Sequence, residues 1–243
     1  TGRHKKISYA TSIGADHFEG TEDDKYVISY LLSRFDQISV REIEAVRVCE
    51  DTFDFHPAQV LDPVFLPDDK MFNNMADSVE KNIAGEFIFA YILDLNIDKR
   101  KLINQVAEKF RLPVWCAYDI EHPEMSRHYL QLKEADIKKP EDWLWYIKNS
   151  RYVITDSYHG GCFSIIFHKK FICIANALRG KGRFQELLGK LGLDRHLITD
   201  LESNSIKRVI SLIDDFNYSK ADKILKREKE RSLHWLKTSL AMP

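Results

Sequence analysis

The sequence predicts an α/β fold built on a mainly parallel, Rossmann-like sheet with helices on both faces. From residue 86 onward, short apolar runs alternate with segments of helix length, a rhythm that is typical of βαβ units. Each run is apolar along its whole length, as expected for a strand that helices cover on both sides. The first 65 residues show the same alternation over a shorter distance, which indicates a second, smaller lobe.

Composition places the chain among ordinary globular proteins. Its 243 residues, 44% hydrophobic and 30% charged, are enough for two small α/β units. The formal net charge of −1 does not indicate nucleic acid as a partner, so any cation cluster has to be local. The cysteines lack the spacing of metal ligands, so no metal site is expected, and reduced thiols favour a cytoplasmic location: Cys49, Cys116, Cys162 and Cys173.

The N-terminal lobe is expected to cover residues 1–66. Its predicted elements are a strand at 6–10, a helix at 25–35, a strand at 37–40, a helix at 42–51 and a strand at 60–63 that ends in a proline turn. The segment 67–85 is polar and carries little periodicity, so it is predicted to be a linker or a mobile loop.

Residues 86–217 are expected to form the C-terminal Rossmann-like lobe. Strands are predicted at 87–93, 113–117, 152–155, 171–175 and 196–198, with helices at 98–110, 140–150, 160–168, 183–191 and 205–216. Residues 218–243 are predicted to form one amphipathic helix with an apolar stripe and a face rich in Lys and Arg. The stripe is expected to pack on the protein itself, with a partner or a membrane surface as alternatives.

Ligands of open parallel sheets bind at the carboxyl ends of the strands, and two such ends stand out. The first is the segment TDSYHGG at 155–161. Its glycines would let a ligand approach the backbone, and the amide groups at the helix start would favour an anion. His159 is a residue type that exchanges protons near neutral pH. The alternative is that Asp156 or Ser157 only caps the helix.

The second strand end is the segment NALRGKGR at 176–183, where three cations alternate with two glycines before a helix. This combination predicts a site for a phosphate or a carboxylate, with a solvated basic loop as the alternative. In the first lobe, Arg41 also lies at a strand end, where it can reach an anion or form an exposed pair with Glu42. None of these segments is a phosphate-loop or dinucleotide motif, so ATP and dinucleotides lack support.

Taken together, these segments resemble the polysaccharide pyruvyl transferase family. The matching stretches keep the family's order along the chain: ISYATSIG (7–14), SVRE (39–42), VLDPVFL (60–66), YILDL (91–95), VITDSYHGGCFSIIF (153–167) and RGKGRFQELLGKLGL (179–193). Two positions depart from the family pattern, since Tyr158 stands where Phe is usual and Gly161 where Thr is common. Neither departure alters the expected chemistry.

The resemblance implies two Rossmann-like lobes arranged as in GT-B glycosyltransferases, with the active site between them. It implies phosphoenolpyruvate as the donor substrate, no further cofactor, and a sugar or glycan acceptor, free or lipid-linked. It also implies a role in cell-surface polysaccharide biosynthesis, in the cytoplasm and near the membrane. The opening of the family's N-terminal lobe is expected to lie before Thr1, so this lobe is predicted to be incomplete.

The resemblance and the local chemistry together suggest a role for each site residue. His159 is predicted to transfer a proton, Asp156 to orient His159 or the sugar, and Arg41 to clamp the donor from the other lobe. The donor-binding residues are predicted to be Ser157, Gly160, Gly161, Asn176, Arg179, Lys181 and Arg183. Two other functions stay open, a GT-B glycosyltransferase that uses a sugar nucleotide and a non-catalytic module that binds an anion or a glycan.

Overall fold

The computed structural model describes residues 4–15, 17–118, 132–175, 181–201 and 206–241, and within these ranges it leaves out the side chains of Asp69, Tyr118 and Lys181. Two parallel sheets organise the described residues, three strands in one and six in the other. Every strand pairing in both sheets is parallel. The predicted α/β class with mainly parallel sheets is therefore confirmed.

The smaller sheet belongs to the N-terminal lobe and has the strand order β1-β2-β3. Its elements are β1 (Ile7–Thr11), α1 (Glu22–Leu32), β2 (Gln37–Val40), α2 (Ile43–Phe53) and β3 (Ala58–Gln59). The strand predicted at 60–63 lies two residues earlier, because a 3-10 helix begins at Pro63. Asp62 caps this helix by accepting a hydrogen bond from the backbone amide of Val64 at 3.0 Å.

The segment 67–85 contains an ordered helix, α3 (Asp69–Asp77), so the expectation of a mobile loop is wrong for this stretch. Asp68 caps the helix, and Ala76 on its inner face is fully buried. The helix packs against the C-terminal lobe, where Lys148 Nζ lies 2.7 Å from the Asp77 carboxylate. Phe72 and Met75 also pack against this core, and with Ala76 they form the apolar face of the helix. The sequence signal was missed because these three residues span about one turn within a polar segment.

The larger sheet forms the C-terminal lobe, with the strand order β6-β5-β4-β7-β8-β9. Its elements, in chain order, are β4 (Ile88–Ile92), α4 (Ile97–Phe110), β5 (Val114–Tyr118), β6 (Lys133–Glu134), α5 (Pro140–Asn149), β7 (Tyr152–Thr155), α6 (Tyr158–Ile166), β8 (Lys170–Ile174), α7 (Lys181–Leu191), β9 (Leu197–Ile198) and α8 (Ile206–Asp214). The chain adds strands to one side of β4 and then to the other, so the order reverses between β4 and β7. A reversal of this kind opens a crevice at the carboxyl ends of the strands.

The apolar strands are covered on both faces, as their composition predicts. Phe89 and Val153 pack into the apolar cluster on one face of the sheet, while Ile88 and Ile154 pack into the cluster on the other. All four of these side chains are fully buried. Burial of each such side chain stabilises the fold by about 1.5–3 kcal/mol, which fixes the strand ends that carry the site.

The C-terminal helix, α9 (Ser219–Ala241), packs on the chain itself and joins the two lobes. Ala221 at its start is buried in the core of the C-terminal lobe. Further along, Ser232 Oγ accepts a hydrogen bond from the amide of Leu61 at 2.9 Å, and the ring of Trp235 lies 6.0 Å from that of Tyr9. In the part of the chain that the structure describes, no helix is both long and apolar enough to cross a membrane.

Candidate active site

A cleft between the two lobes brings together residues from both sheets. The N-terminal lobe contributes Arg41 and Asp62, which follow β2 and β3. The C-terminal lobe contributes Tyr158 and Arg183, on the first turns of α6 and α7. Since these elements follow the carboxyl ends of parallel strands, the cleft lies where ligands of open α/β sheets bind.

Several groups of the segment TDSYHGG form hydrogen bonds within the first turn of α6. Ser157 caps the helix by accepting a hydrogen bond from the amide of Gly160 at 3.3 Å, and the amide of Gly161 donates to the Ser157 carbonyl at 3.0 Å. These two amides are therefore engaged within the helix and are not directed at a ligand. The Gly160 and Gly161 amides are thus not available to the donor, and Ser157 caps the helix. Donor binding by the Ser157 hydroxyl stays a prediction.

The two glycines allow the helix to pack closely on the sheet. A Cβ atom at Gly160 would lie 2.3 Å from Thr155 Oγ1, and one at Gly161 would lie 3.1 Å from Cys173 Sγ. Thr155 Oγ1 is itself held, because it donates to the Tyr91 carbonyl at 2.7 Å and accepts from the Ser157 amide at 3.0 Å. The glycines thus set the position of α6, and through it the position of His159.

The Asp156 carboxylate binds backbone amides that follow the end of the neighbouring strand β4. Its carboxylate accepts hydrogen bonds from the amides of Leu93 at 2.6 Å and Asp94 at 3.1 Å, and from Lys99 Nζ at 2.8 Å. The Asp156 side chain is fully buried and the Lys99 side chain is 4% exposed. These contacts contradict the prediction that Asp156 orients His159 or touches the sugar, because its oxygen atoms are engaged elsewhere and shielded from the cleft.

Asp62 takes the place in the cleft that was expected for Asp156. Its Oδ2 atom lies 2.6 Å from Arg41 Nη1 and 3.7 Å from His159 Nε2, so one buried carboxylate contacts the two residues predicted for catalysis in opposite lobes. Burial alone would raise the pKa of Asp62, but His159, the Val64 amide and the Arg41 charge together hold it below its usual value. Asp62 is therefore an anion at neutral pH.

Arg41 is enclosed in the cleft, so it is not the exposed ion-pair residue that the sequence left open. Its side chain is only 14% exposed, and its Nε atom lies 3.0 Å from Glu42 Oε1. Burial lowers the pKa of Arg41, and the hydrogen bond to Glu42 with the charges of Asp62 and Glu42 raises it, with a net upward shift. The guanidinium therefore carries a permanent positive charge at the boundary of the two lobes.

Tyr158 lies between the cations of the two lobes. The Arg41 guanidinium carbon is 5.1 Å from the centre of its ring, and the Arg183 guanidinium carbon is 6.0 Å from it. Burial raises the pKa of Tyr158 well above its ordinary value, so the phenol stays neutral. The ring thus separates the positively charged side chains of Arg41 and Arg183, which both line the cleft.

The remaining predicted donor-binding residues belong to the segment before and at the start of α7. Asn176 and Arg179 lie outside the described residues, and so does the Lys181 side chain. Arg183 lines the cleft, and its role in donor binding stays a prediction. Gly182, on the first turn of α7, faces Glu44 of the N-terminal lobe, whose carboxylate carbon would lie 3.6 Å from a Cβ added there. This contact shows that the first turn of α7 also meets the other lobe.

A comparison with known protein families identifies the family of this chain. A family model described as polysaccharide pyruvyl transferase matches residues 2–177, well over half of the chain. The chain belongs to the polysaccharide pyruvyl transferase family. The match spans Arg41 and Asp62 in the cleft and His159, which contacts Asp62. No curated protein gives a significant match to the sequence.

Solved structures similar to this pyruvyl transferase family member support the two-lobed, GT-B-like fold. A UDP-N-acetylglucosamine 2-epimerase from Neisseria meningitidis bound to UDP-GlcNAc has a TM-score of 0.52 at 8% identity, with 96% of this chain covered and 69% of that chain. The S. aureus MnaA–UDP structure has a TM-score of 0.55 at 13% identity, with 90% and 62% covered. A putative UDP-N-acetylglucosamine 2-epimerase from Listeria monocytogenes has a TM-score of 0.50 at 11% identity, with 86% and 61% covered. The chain thus spans about three fifths of the latter two proteins, and at these identities the likeness concerns the fold alone.

Asp62 and Tyr158, whose side chains contact Arg41 and His159, were not among the residues predicted for the site. Asp62 and Tyr158 were both present in the matching stretches VLDPVFL and VITDSYHGGCFSIIF. An aspartate before a proline at a strand end reads first as a turn residue, which Asp62 also is. Its second role depends on the distance between the lobes, and no local pattern carries that information.

Proposed function

We propose that the cleft between the lobes is the active site of a ketal-forming pyruvyl transferase, with phosphoenolpyruvate as the donor and a sugar diol as the acceptor. The observation that carries this proposal is the meeting of Arg41 and His159 on the Asp62 carboxylate. These are a fixed cation and a proton-exchanging group from different lobes, and both contact one buried carboxylate in a chain that belongs to the pyruvyl transferase family.

The donor would be bound mainly by positive charge. Phosphoenolpyruvate carries a carboxylate and a phosphate, and Arg41 and Arg183 approach the cleft from opposite lobes. We propose that Asn176, Arg179 and Lys181 complete the grip on the donor, since they precede or begin α7 and thus lie next to Arg183 in the chain. Arg41 is held by Glu42 and Asp62, so its guanidinium is oriented before the donor binds. The space enclosed between the lobes is about 20 Å³, so the lobes have to separate to admit the donor.

The reaction would proceed by proton transfer followed by two additions to one carbon. His159 donates a proton to C3 of the enol, and the electron-poor C2 accepts the oxygen of an acceptor hydroxyl, whose proton returns to His159. The bond between C2 and the phosphate oxygen then breaks, and the electron pair leaves with the phosphate. The second hydroxyl adds to C2 and gives its proton to the released phosphate, which closes the ketal.

The position and exposure of His159 support this proposed role. It lies on the first turn of α6, and 48% of its side chain is exposed, so it can reach a substrate in the cleft. The chemistry assigned to it needs no group beyond the protein and the two substrates. We expect the reaction to take place in the cytoplasm, on precursors of a cell-surface polysaccharide.

The first experiment measures the melting temperature with millimolar phosphoenolpyruvate, with sulfate and UDP as controls. A rise that is specific to phosphoenolpyruvate supports the proposed donor, and phosphate release in the presence of candidate sugars then tests turnover. A rise with UDP alone would favour the sugar-nucleotide glycosyltransferase. Binding of the donor without turnover on any sugar would favour the non-catalytic binding module.

A pair of arginine variants tests whether the rise in melting temperature comes from donor binding in the cleft. Arg183→Ala should reduce the stabilisation by phosphoenolpyruvate, since it removes a cation that lines the cleft. Arg195→Ala is the matched control, because Arg195 pairs with Asp215 at 3.0 Å and does not line the cleft. An equal loss in both variants would mean that the donor binds elsewhere.

A further inference from the structure

Asp62 has a buried carboxylate that makes more contacts than a helix cap requires. Its Oδ1 atom accepts the hydrogen bond from the Val64 amide, which completes the cap of the 3-10 helix. Its Oδ2 atom is not needed for that cap and instead contacts Arg41 Nη1 and His159 Nε2, at 2.6 and 3.7 Å. Only 1% of the Asp62 side chain is exposed, so these contacts are shielded from water.

A buried anion in this position acts on both of its neighbours. It fixes the direction of the Arg41 guanidinium and limits the orientation of the His159 imidazole, whose Nε2 atom it faces. Because Nε2 of His159 faces Asp62, Nδ1 is the ring nitrogen that remains for the substrate. The 3.7 Å separation is longer than a hydrogen bond, and contacts of this type shorten when a substrate closes the site.

We infer that Asp62 is a positioning residue, which orients the His159 imidazole and couples it to Arg41 across the two lobes. The inference rests on the proposed function for its catalytic consequence, although the contact itself does not. Tyr158 belongs to the same arrangement, because its ring packs against both His159 and the Arg41 guanidinium, at 5.3 and 5.1 Å. The site is thus held together by one carboxylate from the smaller lobe and one aromatic ring from the larger lobe.

The test is a double-mutant cycle in turnover. Asp62→Asn removes the charge and keeps an oxygen for the Val64 amide, and we expect kcat to fall about 100-fold while the stabilisation by phosphoenolpyruvate falls much less. In a His159→Ala background, the same change should cost less than about 3-fold, because Asp62 acts through His159. Equal losses in the two backgrounds would overturn the inference.

A matched control separates positioning from general damage. Asp142 is also a buried aspartate that caps a helix start, with its carboxylate on the Lys138 and Lys139 amides and 2.8 Å from Lys81 Nζ, and it does not line the cleft. Asp142→Asn should leave kcat within about 2-fold of the parent. If Asp62→Asn does not fold, Asp62→Ser retains a capping oxygen without the charge and takes its place in the cycle.

A second measurement does not depend on the reaction. Diethyl pyrocarbonate reacts with accessible imidazole nitrogens, and Nε2 of His159 lies against Asp62. The rate of modification of His159, read by peptide mass spectrometry, should rise several-fold in Asp62→Ser, because the shorter side chain no longer holds the ring. The exposed His56, whose side chain is 76% accessible, is the internal reference and should not change. An unchanged rate at His159 would overturn the inference. A raised rate in a protein that never transfers pyruvate would leave the Asp62–His159 contact standing and contradict only the proposed function.

Discussion

Asp62 and Asp156 are two buried aspartates that follow strands of different lobes, and they do opposite work. Both oxygen atoms of the Asp156 carboxylate accept hydrogen bonds, from the amides of Leu93 and Asp94 and from Lys99, so this side chain joins the ends of β4 and β7. Asp62 uses one oxygen for a cap and presents the other to Arg41 and His159. Asp156 stabilises the larger sheet at the point where its strand order reverses. Asp62 connects the smaller lobe to His159 of the larger lobe.

The difference shows that burial and strand-end position do not by themselves mark a residue of the active site. Both carboxylates are nearly inaccessible, with 0% and 1% of the side chain exposed. What separates them is whether an oxygen atom is left over after the backbone has been satisfied. This criterion predicts that changes around Asp62 reduce activity, while changes around Asp156 reduce stability.

The largest expected effect is on turnover, at the residue that Asp62 contacts. His159→Ala should reduce kcat by about 10³-fold because it removes the proton-transfer group, with little change in the stabilisation by phosphoenolpyruvate. Its half-exposed side chain fills no core position, so the melting temperature should stay close to that of the parent. Turnover at a near-normal rate would remove His159 from the mechanism.

Asp156→Ala tests the other half of the comparison. It leaves Lys99, which is 3% exposed, without its buried counter-ion and removes the acceptor of two backbone amides. Loss of one partner of a buried pair should lower the free energy of unfolding by about 3 kcal/mol, measured by denaturant titration. Asp215→Ala is the control, since 75% of that side chain is exposed and the change should be negligible. A stable Asp156→Ala protein with lost turnover would reverse the roles assigned here.

A third buried group, His196, should make the scaffold sensitive to acid independently of the site. Its ring is fully buried and stacks on Phe216 at 3.9 Å, and neither ring nitrogen has a hydrogen-bond partner within the described ranges. Burial lowers the pKa of His196 from 6.5 to about 4. The unfolded chain then binds a proton that the folded chain does not, so stability should fall by up to about 3 kcal/mol as the pH drops from about 6.5 to about 4.

The measurement for His196 is the free energy of unfolding across this pH range. His196→Phe keeps an aromatic ring on Phe216 and should flatten the dependence. Replacement of the exposed His56 by Gln should leave the dependence as it is. A slope that persists in His196→Phe would place the acid sensitivity in another group.

The smallest expected effect distinguishes a glycine that packs from one that does not. Gly160→Ala would place a Cβ atom 2.3 Å from Thr155 Oγ1, so α6 has to shift and the free energy of unfolding should drop by about 1–3 kcal/mol. Gly189→Ala, on α7, meets nothing within 4 Å and should stabilise the helix by about 0.5–1 kcal/mol. Equal effects at both positions would mean that α6 does not depend on close contact with β7.

Much of the C-terminal lobe was predictable because its signals are local. The strand at Tyr152–Thr155 was predicted with its observed bounds, and the neighbouring strands differ by one or two residues, since continuous apolar runs mark strands buried on both faces. The helix at Asp69–Asp77 was missed because its three inward-facing apolar residues, Phe72, Met75 and Ala76, span only about one turn within a polar segment. Local pattern therefore gave the layers of the fold and failed where packing alone orders a polar segment.

By itself, the sequence determined the α/β class, the parallel sheets, the family, and the position of Arg41 and His159 directly after strands. These depend on apolar periodicity and on short motifs, which are properties of neighbouring residues. Only the tertiary structure decided which aspartate serves the site, because Asp62 and His159 are 97 positions apart in the chain. Their 3.7 Å separation results from the way the two lobes pack, and no pattern within either segment encodes it.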